Sequence, residues 1–257
     1  MVFCSLLSAQ AAPQLNAVVR RQRHTGMPSR DDVIAAAFAG LDRHIRRASI
    51  AEIGGFRPPE VPITSYFGGR FVAGAGEDWP LNGGQPMIPL LQVRTDELPH
   101  RPRALEGVAL FNVFIGPREL PIDLPAENGD GWLLRSYPSL DNLSPLVPPA
   151  EPQVRLFPIR WRLSETEGPQ WDDAWGLYDL TEFNKLEDAI NLFYDRYQRH
   201  LHTKVGGWPS YTQSSPGSDD YVFQIGSEEK PRWMWGDNGN GYFSFTDGKW
   251  FLYWDCY

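Results

Sequence analysis

Residues 206–225 read GGWPSYTQSSPGSDDYVFQI, and residues 68–93 read GGRFVAGAGEDWPLNGGQPMIPLLQV. Both stretches open on Gly-Gly, pass through Trp-Pro (Trp79-Pro80 and Trp208-Pro209) and end on a strand-like run holding one Gln between apolar neighbours, Leu91-Gln92-Val93 and Phe223-Gln224-Ile225. A later Gly then leads into apolar residues in each case, Gly107 before Leu110-Phe111 and Gly241 before Phe243 and Phe245. The order is kept and the spacing drifts by only a few residues, a match that no single helix or strand period would produce.

Each piece has a physical reading. Gly-Gly permits backbone angles closed to other residues and suits a tight turn or a close backbone approach. Trp-Pro sets a large ring on a restrained backbone, so it acts as a rigid plug. A Gln between two apolar strand neighbours points to the opposite face from them, so Gln92 and Gln224 either face a polar cavity or bond backbone in the core. Two Gln in equivalent places would face each other across a pseudo-twofold axis, a common place for a pocket.

Outward from the repeat, Ser29 precedes Asp31 and Asp32, and Ile34, Phe38, Leu41 and Ile45 follow at helical spacing before Arg46 and Arg47. This predicts a capped amphipathic helix with acids at its positive end and bases at its negative end. Thr181 opens a second predicted helix, in which Phe183, Leu186, Ile190, Phe193, Tyr197 and Leu201 keep the spacing for five turns. Strands are predicted at Leu90–Val93, Val108–Ile115, Trp132–Tyr137, Val154–Leu163, Tyr221–Ile225, Gly241–Phe245 and Trp250–Trp254. An Asn-Gly turn falls in 126–131, and the proline-rich stretch 139–152 reads as a loop crossing between halves.

The 257 residues are enough for a core without disulfide or metal staples, and 42% hydrophobic against 22% charged residues excludes disorder over most of the length. With 23 Pro and 24 Gly the elements must be short, which excludes a long-helix bundle. A net charge of −8 disfavours direct nucleic-acid binding and favours a basic partner. Cys4 and Cys256 form no disulfide framework, so a reducing, cytoplasmic setting is expected. The opening MVFCSLLSAQAAP has an apolar run and Ala9-Gln10-Ala11 without a basic lead, and export is not the favoured reading. No apolar run approaches the roughly 20 residues of a membrane span.

The segments SYFGG (65–69), EDWPLNGGQPMIPLLQV (77–93), Leu98-Pro99, HTKVGGWPSYTQ (202–213), YVFQI (221–225), MWGDNGNGYFSF (234–245) and WFLYWDCY at the end together resemble the YwqG-like family, a bacterial domain family of unknown function. The likeness covers roughly residues 25–257 and leaves 117–175 without a matching motif. It implies an α+β fold with duplicated halves, no established catalytic activity, and, because such proteins are often encoded beside secreted toxins, a toxin-neutralising role.

Motifs for chemistry are sparse. His200 and His202 would point apart on a helix end and lack a third ligand, so no metal is expected. GDNGNG (236–241) has Gly239 and Gly241 where a calcium loop needs oxygen ligands, and reads as a turn. Gly74-x-Gly76 fails the dinucleotide fingerprint at Trp79, and neither Cys sits in a nucleophile's context. Asp172-Asp173 and Asp219-Asp220 read as solvated loop acids. Trp208, Trp233 and Trp235 could form ring platforms for a carbohydrate, against the preferred reading as core filler.

The expectation is therefore one α+β domain over 1–257, with pseudo-symmetric halves at roughly 25–138 and 153–257, each with an amphipathic helix and short antiparallel strands. Its expected role is a non-enzymatic protein-binding module, such as an immunity protein facing a basic toxin domain, without cofactor, metal or membrane contact. The alternative is a small-ligand binder or an enzyme using the cleft between the halves. Candidate binding residues are Gln92, Gln224, Trp208, Trp235, Asp237, Asp219, Asp220, Glu228 and Glu229.

Overall fold

The computed structural model describes residues 27–257 apart from 59, 62, 70, 152, 198 and 214–219. Eleven strands make one antiparallel sheet: β1 (Arg46–Ile53), β2 (Tyr66–Phe67), β3 (Ile88–Arg94), β4 (Leu110–Ile115), β5 (Ala126–Glu127), β6 (Trp132–Tyr137), β7 (Phe157–Glu167), β8 (Lys204–Gly206), β9 (Tyr221–Gly226), β10 (Asn240–Thr246) and β11 (Lys249–Asp255). Their order is β5-β11-β10-β9-β8-β1-β7-β2-β3-β4-β6, so β1 and β7 form the central pair. Two short ribbons join 72–73 with 144–145 and 81–82 with 85–86.

Alternation along the strands sets which residues fill the core. Leu91 and Val93 of β3, Phe111 and Val113 of β4, Phe223 and Ile225 of β9 and Phe243 of β10 share one buried cluster with Trp132 and Trp161. The sheet curls into a half-barrel around them. Phe111 and Phe223, six strands apart in the order, lie 5.1 Å apart between ring centres, and Trp132 near one end meets Phe243 at 5.2 Å. On the terminal strand β6, Leu134 has both its N–H and its carbonyl bound by the Asn128 side chain, which blunts that edge.

Three short helices, α1 (Arg30–Leu41), α2 (Trp171–Leu177) and α3 (Ala189–Arg196), pack together rather than one with each half. α1 opens on a capping box in which the Ser29 hydroxyl accepts from the Asp32 N–H and the Asp32 carboxylate accepts from the Ser29 N–H. Phe38 of α1 sits 5.6 Å from Phe183 and 5.8 Å from Tyr197.

This overturns the α+β class and the plan of duplicated halves each led by an amphipathic helix. The chain is mostly sheet, and the apolar stripes of both helical regions are buried against each other. The five-turn helix from Thr181 is also corrected: a 3-10 turn at Phe183–Lys185 precedes α3, which ends at Arg196. Ile45–Arg47 does not close α1 but enters the central strand, and Asp172 and Asp173 occupy the first turn of α2 rather than a loop. The sheet also runs through both stretches, since β1 lies between β7 and β8 and β5 pairs with β11.

Candidate functional site

Gln92 and Gln224 are buried on the outer face of the sheet, each two strands out from the central pair, and both bind backbone. Gln92 Oε1 accepts from the Val72 N–H at 3.0 Å and Nε2 donates to the Thr64 carbonyl at 2.9 Å. Gln224 Oε1 accepts from the Ser210 N–H at 2.9 Å, while Nε2 donates to the carbonyls of Leu201 and His202 at 3.0 and 2.7 Å. Each glutamine thus pins a loop that folds over the outer face, and neither is in the lining of the cavities described below. The Gly-Gly turns that let these loops fold back have positive φ at Gly68, Gly69, Gly206 and Gly207.

Trp208 is buried, with Nε1 bonded to the His44 carbonyl and the Arg46 guanidinium 3.6 Å over its ring. Trp235 is fully buried against Gly241, where a Cβ would fall 2.3 Å from the indole, so the ring-platform role is not open to these two. Asp237 is exposed on the turn formed by the GDNGNG stretch. Asp220 lies before β9 and accepts from Thr246 Oγ1, whereas Glu228 and Glu229 follow its far end, on the order of 25 Å away at the usual strand rise. Asp219 lies outside the described residues.

Glu228 and Glu229 do border a cavity. A cleft of about 810 Å³ lies where the end of β1 meets the 200–202 segment and the 227–238 loop, and its lining includes Ile50, Glu52, Arg162, His200, His202 and Trp233. Glu228 Oε1 accepts from Thr203 N–H at 3.1 Å and Thr203 Oγ1 at 2.8 Å, and Lys230 Nζ donates to the Ile53 carbonyl at 2.6 Å. These bonds hold the loop against the sheet. A smaller cavity of about 300 Å³ adjoins it and shares His202, Ser227 and Asn238.

A ladder of charges runs from the floor of the cleft into the protein. Arg160 and Arg162 flank Glu52, with Arg160 at 2.7 Å and Arg162 at 3.5 Å. Arg162 Nη2 stands 3.2 Å from His200 Nε2, and His200 Nδ1 stands 2.5 Å from Glu167 Oε1. The other Glu167 oxygen meets Lys204 Nζ at 2.5 Å, and that ammonium also donates to Ser210 Oγ at 3.1 Å. The side chains of Glu167 and Lys204 are both 0% exposed. Burial alone would raise the Glu167 carboxyl, but the His200 hydrogen bond and the Lys204 charge outweigh it and hold it below the usual range. Burial pulls the Lys204 ammonium down to about 8 against the opposing pull of Glu167.

A second cavity of about 710 Å³ lies on the other side of the central pair, with Phe56, Arg94, Glu97 and Trp161 in its lining. Its charges are closely matched: Arg94 forks onto Asp96 at 2.6 Å twice, and Glu97 accepts from Thr64 Oγ1 and Ser65 N–H. Glu52, Arg162, Glu167 and Lys204 escaped the sequence reading. A signal existed for Lys204 alone: comparing SYFGG (65–69) with TKVGG (203–207) sets it where the first stretch has Tyr66, and each pairs with the strand glutamine of its own stretch, Gln224 or Gln92.

Among the described residues no group of three or more His, Cys, Asp or Glu is placed to hold a metal, and no helix is long and apolar enough to cross a membrane. No curated protein matches the chain. Residues 65–248, well over half of the chain, match the family model of a domain of unknown function, DUF1963, and the chain belongs to that family.

Proposed function

We propose that the protein is a small-ligand-binding protein whose site is the cleft between the 200–202 segment and the 227–238 loop. The observation that carries this reading is the cleft itself. At about 810 Å³ it has the size of a pocket for a metabolite, and its lining combines apolar Ile50, Ile53, Trp233 and Met234 with converging polar groups from Glu52, Arg162, His200 and His202. The ladder behind it holds Glu52, Arg162 and His200 in place before any ligand arrives, which lowers the cost of binding.

The test uses native mass spectrometry of the full chain purified without denaturant, beside His202→Trp. His202 borders both adjoining cavities and its side chain is 72% exposed, so an indole there obstructs the cleft without touching the core. The expected result is a bound mass of metabolite size that the variant lacks. A spectrum without adduct, together with no thermal stabilisation by a broad metabolite panel, contradicts the reading.

A protein partner is the second reading. The finer likeness to YwqG-like proteins supports it, with its implied toxin-neutralising role, as do exposed Leu201 (50%), Met234 (60%) and Tyr257 (79%) along the joined cavities. Asp220 and Glu228 lie beyond opposite ends of β9, so acids steering a basic toxin domain would act from two places on the surface. Copurification with a protein, and not with a small molecule, would favour this second reading.

A further inference from the structure

We propose that the ligand enters the cleft through an oxyanion, a carboxylate or phosphate group, received between the Arg162 guanidinium and a protonated His200 Nε2. The proposal rests on the reading of the cleft as the ligand site and names the chemistry of its occupant.

The tautomer of His200 follows from its neighbours. Glu167 is an ionised acceptor at 2.5 Å from Nδ1, so Nδ1 carries a proton and donates. In the neutral imidazole Nε2 then holds a lone pair, which accepts from Arg162 Nη2 at 3.2 Å. Arg162 thus spends a donor on an imidazole nitrogen. An oxyanion is the better acceptor for that planar fork. When it takes Arg162, the imidazole gains one proton from solvent at Nε2 and becomes a second donor to the same anion, with Glu167 supporting the imidazolium from behind.

The charge balance points the same way. On the sheet side Arg160, Arg162 and Lys204 oppose Glu52 and Glu167, which leaves one positive charge in a chain whose net charge is −8. On the facing wall Glu228 and Glu229 are matched by Lys230 and Arg232. Glu52 reaches Arg162 only through a long contact, Oε1 to Nε at 3.5 Å, while Arg160 holds its other oxygen at 2.7 and 2.8 Å, so Arg162 Nη2 is left facing His200. Of the other ionisable neighbours, His202 leans towards Glu228 at 4.0 Å, and Arg199 is close enough to Lys204 to oppose its protonation, adding positive potential.

The experiment follows the imidazole resonances of the isotope-labelled full chain while sodium acetate, sodium phosphate or neutral acetamide is added at constant ionic strength, with sodium chloride as reference. The His200 signals are identified by their loss in His200→Gln. Acetate or phosphate is expected to move them saturably towards the protonated form, with binding strengthening by up to about tenfold per pH unit of acidification while one proton is taken up. Arg162→Met, at a half-exposed position, should abolish saturation while the His202 signals stay in place. The response of acetate against phosphate distinguishes the two oxyanions. If only acetamide moves cleft resonances, the cleft remains the ligand site and the oxyanion proposal is wrong. If none of the three probes moves them, both readings fall. A chloride effect equal to that of acetate, or an undiminished acetate effect in Arg162→Met, also overturns the proposal.

Discussion

Among the ion pairs of the described residues, Lys204 and Glu167 form the one with both side chains fully buried. Both are withdrawn from water and lie 2.5 Å apart, so each is tolerable only because the other is present. Replacing Lys204 by Met strands a buried carboxylate with the His200 hydrogen bond as its remaining partner, and the expected loss is about 3–5 kcal/mol by urea denaturation at neutral pH. Adding Glu167→Gln should recover much of that loss. If the double variant is no more stable than Lys204→Met, the two side chains do not act as a pair. The pH dependence separates them further. Glu167 titrates lower folded than unfolded, so its contribution is present at neutral pH and is lost as the pH falls through its folded value. Lys204 titrates near 8 folded against 10.5 ordinarily, so the unfolded chain holds the proton more tightly and this group's contribution rises between those values.

Among the elements, the loops over the outer face are held by glutamine anchors. Gln224 satisfies three backbone groups, the buried Ser210 N–H and the partly buried carbonyls of Leu201 and His202. Gln224→Met keeps the volume and removes all three bonds, with an expected cost of about 3 kcal/mol in urea denaturation. A loss below about 0.5 kcal/mol would mean that water replaces the amide. The matched Gln of the two Gly-Gly/Trp-Pro stretches were therefore legible as anchors, since a polar residue between apolar strand neighbours must face away from them. The strands around them were legible for the same reason: β3, β4, β6 and β9 to β11 are apolar runs bounded by Gly or turn residues. The central pair was not. RRASIAEI and FPIRWRLSETE interleave Arg and Glu with their apolar residues, so β1 read as the end of a helix and β7 was cut short at Leu163, before the Glu167 that proved to matter. Those charges look like solvated surface in the sequence and become a ladder only when β1, β7 and β8 lie side by side. The helices show the opposite error. Their periodicity marked Phe183, Leu186, Phe193 and Tyr197 as an apolar stripe, but Ile190 and Leu201 of the same pattern are half-exposed, and the pattern could not say that the stripes of α1 and α3 would be covered by one another.

For the whole molecule, the curled sheet places its core on the inner face and leaves the central strands to carry a site on the outer one. The cleft draws on β1 and β7 and on the segments before β8 and after β9, which come together only when the sheet is complete. Binding there should consequently be felt across a limited and connected set of backbone amides. The most direct measurement is hydrogen–deuterium exchange of the full chain in the low-molecular-weight fraction of a cell extract, compared with buffer alone. Slowed exchange confined to 50–53, 200–204 and 227–239, and absent in His202→Trp, is the predicted result. Unchanged exchange in those segments, or protection confined to the edge strands or the α1–α3 cluster, would contradict the assignment of the cleft as the binding site.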